Sequence, residues 1–99
     1  MGITYTAPVH LSPEVSATVL EDLSHDDEYE ILSRSPGVVQ LRLRAQPART
    51  KWPEDVEIHF DTGIHVVFHS ADRQSRTRLL DRLRSTLGRL GLPATFSED

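Results

Sequence analysis

Val56-Glu57-Ile58-His59-Phe60-Asp61-Thr62-Gly63-Ile64-His65-Val66-Val67-Phe68 is the stretch that decides the fold. Val56, Ile58 and Phe60 alternate with Glu57 and His59. After the Asp61-Thr62-Gly63 tip, Ile64, Val66 and Phe68 alternate with His65, Val67 and His69. A period of two marks a strand with one face in a core and the other toward water. A three-residue polar loop ending in glycine is a favoured hairpin connection, in which Gly63 is expected to take the left-handed position. With Phe60 and Ile64 both facing inward, His59 stands opposite His65 on the outer face, their Cβ atoms ~5 Å apart.

Upstream, a second hairpin is expected from Tyr29–Ser33 and Val38–Arg44 around Ser35-Pro36-Gly37. Pro presets φ at the second turn position and Gly37 supplies the positive φ of the third. Ile3, Tyr5 and Ala7 alternate with Thr4 and Thr6 in a short first strand. Ser12-Pro13-Glu14 is a helix start, with a hydroxyl cap, proline at the first helical position and an acid at the positive end. Val15, Val19 and Leu23 recur every four residues, so a helix is expected over 13–23. Downstream, Ser70 or Asp72 caps a second helix with the stripe Leu79, Leu80, Leu83, Leu87 and Leu90. Gly91 and Pro93 end it, and Ala94-Thr95-Phe96 could add a short edge strand. The expected class is α+β: an antiparallel sheet of four to five strands built from two hairpins, with two helices packed on one face, in a single domain over 1–99.

Composition narrows the function. In 99 residues there are 11 Lys+Arg, 15 Asp+Glu and no Cys, for a formal charge of −4. A chain of this length supports one modest core. The lack of Cys excludes disulfides, thiolate nucleophiles and Cys-ligated zinc. No apolar run approaches the ~20 residues of a membrane span, and the start lacks a signal-peptide layout. A cytoplasmic location is therefore expected. Ten of the 11 cations are Arg, which fits GC-rich codons and a bacterial genome or its phage.

Chemical motifs are few. His59 and His65 are close enough across the hairpin to share a metal ion, as imidazoles commonly do, but a structural site normally wants four ligands. His65 and His69 lie ~13 Å apart along a strand and cannot chelate one ion together. Asp61-Thr62-Gly63 matches the triplet of aspartic proteases, yet that chemistry pairs two Asp in a low-dielectric cleft. Here the triplet is a polar hairpin tip. There is no G-x-S-x-G, G-x-G-x-x-G or phosphate-binding loop. The spacing supports no enzyme and implies no cofactor.

Charge layout says more. Residues 1–33 hold seven acids and no Lys or Arg. Six of those acids, Glu21, Asp22, Asp26, Asp27, Glu28 and Glu30, fall within ten residues. Six Arg fall within 70–90. The split suits either internal pairing or two faces for charged partners. A nucleic-acid-associated module using the Arg-rich helix is one alternative, although such domains usually carry a basic balance. Trp52, the only Trp, either covers one end of the sheet or anchors a partner. The favoured expectation is a small non-catalytic protein-binding domain, of inhibitor or immunity type. It would dock a basic partner through the acidic segment, with the outer sheet face as a further candidate surface. A small metal- or pH-responsive protein using His59 and His65 is the other alternative.

Overall fold

Alternation over 56–68 becomes the centre of a six-stranded sheet. A computed structural model describes residues 3–35, 37–44, 55–60, 63–69 and 71–98. Its elements are β1 (Ile3–Ala7), α1 (Pro13–Ser24), β2 (Tyr29–Ser35), β3 (Val38–Leu43), β4 (Val56–Phe60), β5 (Ile64–Phe68), α2 (Arg73–Arg89) and β6 (Ser97–Glu98). The strands run antiparallel in the order β2-β3-β4-β5-β1-β6. In β4–β5, Val56 faces Phe68, Ile58 faces Val66 and Phe60 faces Ile64, with His59 opposite His65 between them.

The class is α+β, as expected, with both helices on one sheet face. Val39, Leu41, Val56, Ile58, Ile64 and Val66 project into the same core as Val19 and Leu23 of α1 and Leu79, Leu83 and Leu87 of α2. Tyr5 adds an edge-on ring contact to Phe68, with centroids 5.8 Å apart. α1 starts as the sequence dictates: Ser12 accepts the Val15 N–H at 3.2 Å. α2 is capped by Asp72, which accepts the Ser75 N–H at 2.7 Å; Ser70 lies outside the described residues. Its other end closes in a Schellman arrangement. Gly91 takes φ +78°, while Leu92 N–H donates to Leu87 O and Gly91 N–H to Gly88 O.

Four expectations need correction. The short edge strand expected over 94–96 is Ser97–Glu98 instead, paired with β1. Ala94 and Phe96 pack on the core, which draws that segment inward before it pairs. Gly63 does not adopt a left-handed φ. Glycine is required there because a Cβ would stand 2.8 Å from the Ala7 carbonyl of the neighbouring strand. Leu90 is 41% exposed, because the helix ends before it; Thr86 takes a buried place beside Leu83 and Leu87. Finally, β2 runs on to Ser35, and its pairing slips by one residue between Ile31 and Ser33. The bulge turns Leu32 out of the ladder and interrupts the edge strand.

A leucine stripe buried to this degree makes a quantitative demand. Leu83→Ala should lower unfolding free energy by about 2–5 kcal/mol, and Arg84→Ala, on the exposed side of α2, by far less. Urea titrations giving equal losses would contradict the packing.

Candidate functional site

The acidic stretch after residue 20 closes α1, where the helix dipole is negative and carboxylates are unfavourable. α1 has no basic residue in its own last turn. α2 supplies the cations. Arg82 Nε donates to Asp22 Oδ2 at 2.9 Å and its Nη2 to Oδ1 at 3.3 Å. The same Nη2 reaches the Asp22 backbone carbonyl at 3.4 Å, and Nη1 lies 3.3 Å from Asp26 Oδ2. Thr86 Oγ1 donates to Asp22 Oδ2 at 2.6 Å, and Arg89 Nη2 reaches Oδ1 at 3.4 Å. Arg78 lies 3.6 Å from Glu28.

These contacts tune both partners. The Thr86 hydroxyl, then the Arg82 and Arg89 guanidiniums, hold the Asp22 carboxyl below its ordinary range, against burial that pushes it up. Asp22 raises Arg82 in turn. Burial, with Asp26 nearby, pushes the Tyr29 hydroxyl up.

The six carboxylates therefore divide. Asp22, Asp26 and Glu28 face α2. Glu21 and Asp27 are exposed, with Glu21 3.1 Å from the exposed His25 Nε2. Glu30 is half-buried on β2 opposite Arg42. Trp52 lies outside the described residues. Of the Arg residues of α2, Arg78, Arg82 and Arg89 meet acids of the 21–30 segment, and Arg84 pairs with Asp81 on its own helix.

The sheet face opposite the helices carries a second cluster. His59 stands opposite His65, as the alternation requires. Glu57 draws in a third imidazole: its Oε2 is 3.0 Å from His59 Nε2 and its Oε1 3.2 Å from His69 Nε2. His65 Nδ1 lies 3.1 Å from Thr6 Oγ1. Among the described residues no group of three or more His, Asp or Glu is placed to hold a metal ion. No described helix is long and apolar enough to cross a membrane.

Three participants escape sequence reasoning. Thr86 reads as a polar break in a leucine stripe. His69 reads as a strand residue too far from His65 to share an ion, and its spacing gives no sign of a link to Glu57. Asp55 is buried at the start of β4, where its carboxylate accepts the Leu43 N–H at 2.8 Å. An Asp immediately before a strand is the one available signal for this backbone-capping role.

Because Asp22 is depressed in the folded state, its contribution is present above the ordinary carboxylate value and is lost as pH falls through the lowered one. Asp22→Asn should therefore be less stable than the native chain at pH 7. The gap should narrow below pH ~4 as the native carboxyl protonates. Urea midpoints at neutral and acid pH check this; a constant gap would contradict it. Comparison with protein-family models, with curated proteins and with solved structures found no match, so function must be read from this geometry.

Proposed function

We propose that the chain is a small non-catalytic protein-binding domain that captures a basic protein partner, in the manner of an inhibitor or immunity protein. The observation that carries this reading is the division of charge across the helix pair. Arg78, Arg82 and Arg89 are matched by Asp22, Asp26 and Glu28. Glu14, Glu21 and Asp27 remain exposed. The carboxylate display offered to a partner is thus narrower than the whole acidic segment and lies along the outer side of α1 and the turn after it. Exposed charges of one sign speed encounter with an oppositely charged surface. The same pairing weighs against the nucleic-acid alternative, because Arg78, Arg82 and Arg89 of the Arg-rich helix already have acidic partners.

A second reading is favoured by the Glu57–His59–His69 contacts on the sheet face opposite the helices. On this reading the domain is a small pH-responsive protein that works through these imidazoles.

Association kinetics with a partner recovered by pull-down separate these readings. Glu21→Lys with Asp27→Lys should slow association and flatten its salt dependence, leaving the fold intact because both positions are exposed. His59→Gln with His69→Gln should leave association unchanged at neutral pH. If only the histidine pair alters binding, the sheet face is the working surface. If Arg73→Glu with Arg84→Glu alone weakens binding to RNA or DNA, the basic-partner reading fails.

A further inference from the structure

A groove of about 310 Å³ lies between α1 and the end of the β2–β3 hairpin. Leu11, Ala17 and Leu20 form one wall, and Val39 and Phe60 belong to the other side. Leu11, Leu20 and Phe60 are only partly buried, although all three touch the core. That volume is at the bottom of the roughly 300–1,000 Å³ range of small-molecule sites, and it has room for one large apolar side chain. Interface energy concentrates in such anchors.

The rim has a sign. Ala17 follows Glu14 by three residues and precedes Glu21 by four, so both carboxylates are its neighbours on the helix surface. All three are exposed. Ala17 is small, so the groove opens directly toward the two acids. On the opposite side Arg34 pairs with Val39 across β2–β3 and therefore shares its sheet face. It too is exposed, and it limits how much positive charge an occupant can place on that side.

We infer that this groove seats an apolar side chain from a short amphipathic segment of a protein partner whose Lys or Arg residues lie over Glu14 and Glu21. The inference rests on the basic-partner reading and adds where the partner is anchored. Steering by the exposed carboxylates brings the segment in. Burial of its apolar residue against Leu20, Val39 and Phe60 then slows its departure, because rim charges act mainly on association and desolvated anchors on dissociation.

The test is a titration of the isotope-labelled full chain with two short synthetic peptides. They share Leu and Phe anchors and differ only in carrying Lys or Glu at the flanking positions. The Lys peptide should shift the amide resonances of Ala17, Leu20, Val39 and Phe60. It should bind several-fold more tightly than the Glu peptide at low salt, as two exposed ion pairs allow. Glu14→Gln with Glu21→Gln should bring the two peptides to equal affinity. Ala17→Gln, an exposed position whose change narrows the groove without touching the core, should weaken the Lys peptide while the urea midpoint stays in place. Shifts near Glu14 and Glu21 that spare Val39 and Phe60 would overturn the anchor and keep the basic-partner reading. Equal affinity of the native chain for both peptides would overturn that reading itself, and no shift with either peptide would overturn the anchor.

Discussion

Arg82 of α2 holds the end of α1, and the arrangement of charge over the whole domain follows from that grip. An α-helix leaves its last carbonyls unpaired and its C-terminal end negative. α1 worsens the problem by ending in Glu21 and Asp22, with Asp26 and Asp27 just beyond. Local donors meet part of the need: Ser24 Oγ donates to Glu21 O at 2.7 Å, His25 N–H to Asp22 O at 3.3 Å and Asp26 N–H to Leu23 O at 3.1 Å, but none of them carries the charge that the carboxylates require. Arg82 donates to both the Asp22 carboxylate and the Asp22 carbonyl, so one guanidinium neutralises the charge and caps the helix. Thr86, one turn further along α2, completes the Asp22 shell from a buried position. The apolar core brings the helices together, since Val19 and Leu23 share one cluster with Leu79, Leu83 and Leu87. Apolar burial is non-directional; the directional Asp22 bonds set where α1 comes to rest along α2.

Anchoring α1 in this way determines what the surface can offer. Asp22 and Asp26 have side chains only 21% and 14% exposed. A partner would have to displace Arg82 to reach them, leaving a half-buried cation without its acid, which is costly. The acids on the far side of α1 carry no such obligation. The helices pack on one sheet face, and Glu57, His59, His65 and His69 gather on the other.

Local patterns made most of the scaffold legible. The 56–68 alternation fixes both strands and their register, because a slip of one residue would put Val56, Ile58 and Phe60 in water. Ser12-Pro13 and Gly91 fix helix ends through backbone chemistry that acts over a few residues. The misreadings are at places where distant chain segments meet. Gly63 is needed for its approach to Ala7, 56 positions earlier in the chain. β6 pairs with the free edge of β1, and Leu90 is exposed because the helix ends before it. At the candidate site, the His59–His65 opposition followed from local spacing. The recruitment of His69 by Glu57 depended on register at the far end of the hairpin. The choice between internal pairing and open display of the acidic segment depended on the position of α2, which no local pattern in residues 21–30 encodes.

A double-mutant cycle on Asp22 and Arg82, using Asp22→Asn and Arg82→Met in urea unfolding at pH 7, tests the helix-pair grip most directly. If the two side chains bind each other as described, the single losses will not add, and the coupling will fall within the ~0.5–3 kcal/mol found for contacting residues. Losses that add to within ~0.3–0.5 kcal/mol, the behaviour of independent sites, would show that Arg82 does not hold Asp22. The division between internal and displayed carboxylates would then fail with it.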